Sequence, residues 1–214
     1  LNGWWQGGEL ADGIRLVDCR YILADEQRAA RLSDQDIGDA TILIFEHDVM
    51  PLEGLKILTE NGGGSTTPLP AIDPLDPATI LYTSGSTGQS KGAWSDHRAV
   101  TQAAMNYIGQ TLVLLELMSL SGQMPTHQPA TLVNVPLFHV PAAVPLVMQS
   151  FAIGRKLVIM PKWDAEHAMQ LIEKEKVTYF VGVPLMSIEI ATHPKRSEYD
   201  LTSCTAFAAG GAPR

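Results

Sequence analysis

Ile80-Leu81-Tyr82-Thr83-Ser84-Gly85-Ser86-Thr87-Gly88-Gln89-Ser90-Lys91-Gly92 joins a β-prone apolar run to a loop of Ser, Thr and Gly, and a lysine follows. Glycines let a backbone turn sharply and approach a bound anion closely. Amides and hydroxyls then donate to phosphate oxygens, and a lysine adds mobile positive charge. Two better-known phosphate loops are excluded by spacing. Only Ser86 and Thr87 separate Gly85 from Gly88, and Gly92 follows Lys91, so the Walker A pattern fails. Gly85, Gly88 and Gly92 also lack the G-x-G-x-x-G spacing of a dinucleotide fold. A flexible linker is the bland alternative, and the chain holds its own comparison. Asn61-Gly62-Gly63-Gly64-Ser65-Thr66-Thr67-Pro68 has no lysine and runs into Pro70, Pro74 and Pro77, so 61–78 reads as a solvated connector.

Outward from this loop, apolar runs rich in β-formers alternate with helical periodicity. Strands are expected at Thr41–Phe45, Thr79–Thr83, Thr131–Val135, Leu157–Met160, Val177–Val183 and Thr205–Ala208. A helix is expected from Asp164, as N-cap, to Lys176, with Ala165, Ala168, Leu171 and Ile172 on one face. A second runs from His97 toward Leu117 behind Ser95 or Asp96, and a third begins near Pro184. Gly122 to Pro129 reads as a surface loop, and Trp163 as packing at a helix entry. The fold class is α/β, a largely parallel sheet flanked by helices. Ligands of such sheets bind at the carboxyl ends of strands. Four expected strands end in segments of interest: Thr83 in the Ser-Gly loop, Val135 in Pro136-Leu137-Phe138-His139, Val183 in Pro184, and Ala208 before Gly210-Gly211. If these strands are parallel, all four loops open on one sheet edge.

Composition sets outer bounds. The chain has 214 residues, 45% hydrophobic and 18% charged, in the range of a globular protein. A net charge of −8 argues against a nucleic-acid partner, which requires clustered Lys and Arg. The richest apolar run, Leu112 to Leu120, is broken by Glu116, so no transmembrane segment is expected. Cys19 and Cys204 suggest free thiols and a cytoplasmic setting. The six histidines show no metal-ligand spacing, and no structural metal is expected. The chain has no initiator Met and no signal-peptide pattern at Leu1-Asn2-Gly3, so its natural start is expected to lie upstream.

Tyr82 to Gly88, Lys91-Gly92 and His97-Arg98 resemble the phosphate-loop signature of the AMP-binding, adenylate-forming superfamily, and within it the acyl-CoA synthetases, or fatty-acid CoA ligases. Leu1-Asn2 with Trp4-Trp5 and Glu9-Leu10, Pro136 to Val140, Gly182-Val183-Pro184, and Ala208 to Pro213 resemble further family segments in the family's order. The resemblance spans the chain and implies part of the large N-terminal domain of such an enzyme. It implies ATP-dependent activation of a carboxylic acid, a fatty acid in first place, to an acyl-adenylate and then an acyl-CoA. ATP, Mg²⁺ and coenzyme A are the implied cofactors and co-substrates.

By the same resemblance, Thr83, Ser84, Gly85, Ser86, Thr87, Gly88 and Lys91 hold the β- and γ-phosphates, with Mg²⁺ near Thr83 or Thr87. Gly210, Gly211, Ala212 and Pro213 flank adenine, where small residues leave room for a flat ring. His139 gates or contacts the acid; read alone, a histidine in such an apolar setting is more often a hydrogen-bonded core residue. His97 reads as structural. Amino-acid-activating members place an aspartate near this histidine, whereas Val135 to Val147 holds no acidic residue, which favours a fatty or aryl acid. Ser90, Pro141-Ala142 and Trp94 depart from the family pattern. The family's downstream Tyr-Gly-x-Thr-Glu element and its C-terminal domain with the catalytic lysine are absent, so the isolated chain is expected to be inactive. Two alternatives stay open: a non-catalytic nucleotide- or acyl-binding module, and an aryl-acid CoA ligase.

Overall fold

The computed structural model describes residues 1–46, 49–54, 56–62, 68–83 and 90–210. It divides into two units, Leu1–Ser95 and Asp96–Arg214.

In the first unit the order is α1 (Gly7–Leu16), β1 (Tyr21–Ala24), α2 (Glu26–Ala30), β2 (Thr41–Ile44), α3 (Pro51–Gly54), α4 (Lys56–Gly62), β3 (Pro77–Thr83) and β4 (Lys91–Asp96). Strands β1 and β2 pair in parallel, Tyr21 against Thr41 through Ala24 against Ile44. Leu10 and Ile14 of α1, one helical turn apart, bury against Ile22 and Ala24, the inward pair of an alternating strand. Ala29 and Leu32 complete this small core. Asp25 caps α2 by accepting from the Arg28 amide at 2.8 Å.

In the second unit α5 (His97–Leu120) leads to β5 (Ala130–Val133), α6 (Val140–Ala142), a π-helical turn (Ala143–Met148), α7 (Gln149–Ile153), β6 (Lys156–Ile159), α8 (Ala165–Glu175), β7 (Tyr179–Gly182), α9 (Pro184–Thr192), a short 3₁₀ turn (Arg196–Glu198) and β8 (Ala206–Ala209). Four parallel strands lie in the order β6-β5-β7-β8. Strand β5 is buried at every position, as expected of a strand covered on both faces. Leu132, Val158 and Phe180 pack on Ala168, Met169 and Ile172 of α8 and Ile190 of α9. Tyr179, the neighbour of Phe180, points away from that core and lines a cavity with α5 and α7, so helices cover both faces.

The expected helices form. Asp96 caps α5 through the Ala99 amide (2.6 Å), and Asp164 caps α8 through the His167 amide (2.7 Å). Ala168 and Ile172 face the core as expected, joined by Met169, while Ala165 and Leu171 are partly buried. Trp163 packs beside the core, with its indole donating to Glu189. None of the described helices is long and apolar enough to cross a membrane.

One expectation needs correction. Strand β3, which feeds the Ser-Gly loop, is not in the four-stranded parallel sheet but pairs with β4 in a separate two-stranded one. The shared edge therefore carries three of the four loops. Runs of apolar residues report that a strand exists, not which strand it pairs with.

Candidate functional site

The strand order fixes where a site can form on the second unit. After β5 the chain crosses to β6 on one side, and after β7 it crosses to β8 on the other. Neighbouring strands whose connections diverge leave a crevice at their carboxyl ends. Pairing of β5 with β7 stops at Leu132–Phe180, whereas β7 stays paired with β8 to Gly182–Ala209. At these carboxyl ends lie Asn134 to His139, after β5, and Val183-Pro184, after β7.

His139 stands at the N-cap of α6 in extended backbone (φ −115°, ψ 144°). It is solvent-exposed, its ring edge-on to Phe138 with centroids 4.6 Å apart. A core histidine is thus not what the chain builds. Pro141 falls in the first turn of α6, where its missing N–H has no intrahelical acceptor, so this departure starts a helix. Gly210 lies one residue past β8, and its amide donates to the Gly182 carbonyl at 3.1 Å, holding Gly210 beside the end of β7. A Cβ on Gly210 would meet nothing within 4 Å among the described residues.

Asn134 was not foreseen from sequence. It is 7% exposed at the crevice, its Nδ2 donates to Met186 Sδ at 3.2 Å, and its Oδ1 is buried with no hydrogen-bond partner among the described residues. Buried side-chain oxygens are nearly always bonded, so this one marks a position for a donor. Its polar type in an otherwise apolar strand end was the available signal.

The Ser-Gly loop belongs to the first unit. Thr83 ends β3, Lys91 opens β4, and the Thr83 hydroxyl donates weakly to the Lys91 carbonyl at 3.4 Å. Lys91 is exposed. Ser84, Gly85, Ser86, Thr87 and Gly88 lie outside the described residues, as do Gly211, Ala212 and Pro213. Tyr82 fixes the strand: its hydroxyl donates to the Gly13 carbonyl at 2.6 Å, and its ring meets Trp5 edge-on at 5.3 Å. Gly13 lies in the last turn of α1, where carbonyls run out of intrahelical donors, so Tyr82 satisfies a helix end. Burial raises the Tyr82 pKa, keeping the donor protonated, with the nearby Cys19 adding in the same direction. Trp94 of β4 is largely exposed.

A family model described as AMP-binding enzyme matches residues 1–214. A medium-chain acyl-CoA ligase, ACSF2, of Mus musculus is 34% identical over 246 residues, covering 100% of this chain and 38% of its own length. A 4-coumarate–CoA ligase of Pinus taeda is 26% identical over 219 residues, covering 99% of this chain and again 38% of its own. The chain thus spans about two fifths of the length of these curated relatives. Among solved structures, the inhibitor-bound N-terminal domain of FACL13 from Mycobacterium tuberculosis superposes with a TM-score of 0.71 at 25% identity, covering 100% of this chain and 50% of that one. With its α/β fold, its parallel sheet and a family match over its whole length, the chain belongs to the AMP-binding enzymes, as part of an N-terminal domain of the adenylate-forming type.

Proposed function

We propose that this chain carries the nucleotide- and acid-binding part of an AMP-forming acid–thiol ligase whose acid is a fatty acid. In the first half-reaction a carboxylate oxygen bonds to the α-phosphorus of ATP and the bond to pyrophosphate breaks. In the second, the thiol of coenzyme A attacks the acyl carbon, loses its proton and releases AMP.

Both first reactants are anions, so the site must supply positive charge and alignment. Lys91 provides a cation and Thr83 a hydroxyl at the mouth of the loop. Ser84 to Gly88 provide the amides and further hydroxyls for the β- and γ-phosphates. The Thr83 hydroxyl uses its hydrogen toward Lys91 and keeps its lone pairs, an oxygen donor of the kind Mg²⁺ takes. When bound, that ion would offset phosphate charge. Gly210, Gly211, Ala212 and Pro213 offer bare backbone to adenine. His139 stands at the acid's entrance, and the unpaired Asn134 Oδ1 can accept from a group inside the crevice.

The observation that carries this proposal is the crevice between the diverging ends of β5 and β7, with His139 and the Gly210 turn on the same sheet edge. An aryl acid is the second reading, favoured by the 4-coumarate–CoA ligase that aligns with 99% of the chain. Hydroxamate trapping by the full-length polypeptide across C6–C16 fatty acids, cinnamates and amino acids tests the choice. Product with fatty acids supports it, product with cinnamates alone moves the assignment to aryl acids, and ATP-independent or absent product overturns it.

A further inference from the structure

A cavity of about 360 Å³ lies at the opposite end of the sheet from the crevice. Its floor is the amino ends of three strands, through Pro129, Thr178, Tyr179 and Ala206, and its walls are α5 and α7. Strand β5 is four residues long, so roughly 13 Å separates the two edges at about 3.3 Å per residue.

The wall is mostly apolar, with Leu115 and Met118 of α5 and Ile153 of α7, and among the described residues no acidic side chain lines it. Its polar groups are largely matched internally. The Gln149 amide donates to the Tyr107 carbonyl (2.9 Å) and to Thr111 Oγ1 (2.7 Å), and the Thr178 hydroxyl donates to the Ala130 carbonyl (3.0 Å). Arg155 is the exception. It is 9% exposed, and among the described residues its guanidinium makes one hydrogen bond, to the Pro145 carbonyl, long at 3.3 Å. Its guanidinium lies 5.1 Å from the centre of the Tyr179 ring, and no carboxylate pairs with it among the described residues.

Burial disfavours the charged form and lowers the Arg155 pKa, but a guanidinium stays ionised in proteins. A nearly buried cation without an anion is costly, and its planar fork of N–H groups matches a carboxylate. A single cation in an acid-free, apolar-walled cavity selects an anion with an apolar body. We infer that this cavity is a second binding site, for an aliphatic monocarboxylate whose head group pairs with Arg155 and whose chain lies along α5. An acid held there has its carboxylate on the wrong sheet edge to be adenylated, so this site binds without reacting.

The test uses the full-length polypeptide and a decanoate analogue carrying an alkyl diazirine. On irradiation the probe marks α5 between Tyr107 and Met118. Unlabelled decanoate competes at least tenfold better than decanol, the factor expected for one charge-assisted hydrogen bond. Arg155→Met lowers the mark at least tenfold. Leu115→Trp, which fills the cavity and keeps the charge, does the same and stands in if Arg155→Met fails to fold. Labelling of α5 that survives these substitutions, equal competition by decanol, or labelling confined to 134–139 overturns the inference.

Discussion

Replacing Tyr82 by Phe removes one oxygen from the strand that delivers the Ser-Gly loop and leaves the ring against Trp5. The lost bond is short, 2.6 Å, and half-buried, and it serves a buried carbonyl near the carboxyl end of α1. Loss of the net bond alone costs about 0.5–1.5 kcal/mol, and stranding a buried acceptor raises this to about 1–3 kcal/mol. Gly13 is buried, so water replaces the lost donor poorly and the upper part of the range applies. Urea unfolding of the full-length polypeptide, followed by tryptophan fluorescence, should show the midpoint falling by the equivalent of at least 1 kcal/mol. The KM for ATP should rise as β3 loosens, with kcat less affected. A midpoint within about 0.3 kcal/mol of wild type would refute the anchoring role, since that is the scatter expected of an uninvolved surface change.

Phe180→Ala empties the centre of the larger core and should cost about 3–5 kcal/mol by the same unfolding assay, whereas a loss under 1 kcal/mol would mean the β7–α8 core is not packed as described. Burial pushes the Cys204 thiol up to about 12 from an ordinary 9.0. The folded state thus favours the neutral thiol: its contribution is complete below about pH 9 and is lost as pH rises through about 12. At pH 8.5, where nucleophilic thiolate decides the rate, iodoacetamide should modify half-buried Cys19 well before Cys204. Equal rates would contradict the burial of Cys204.

Much of the parallel sheet was legible because its strands are short apolar runs separated by turn residues, and because α8 carries both a cap and a clear apolar face. The elements that escaped have physical reasons. Strand β4, Lys91-Gly92-Ala93-Trp94-Ser95-Asp96, is poor in β-formers and exists through its pairing with β3. The helical stretch 140–153 contains Pro141 and Pro145, which argue against a helix from sequence; the chain accommodates the second with a π-helical turn, where the normal i−4 bonding is already broken. Helix α1 holds Gly7, Gly8 and Gly13, weak helix formers, yet Gly13 must be small: a Cβ would come within 2.9 Å of the Trp5 ring and 3.0 Å of Leu1. His139 and the Gly210 turn could be found by pattern. Asn134 offered only its polar type at an apolar strand end and Arg155 offered nothing, since what distinguishes each is a partner missing among the described residues, and that appears only once the surroundings are folded.

The account turns on Lys91 acting as the cation of a phosphate loop, and ATP–pyrophosphate exchange by the full-length polypeptide measures that step without the thiol. Lys91→Ala, set against Lys174→Ala on the exposed side of α8, should lower exchange roughly tenfold to a hundredfold, the equivalent of about 1.5–3 kcal/mol for one charge-assisted contact. Exchange at the wild-type rate in Lys91→Ala would contradict it.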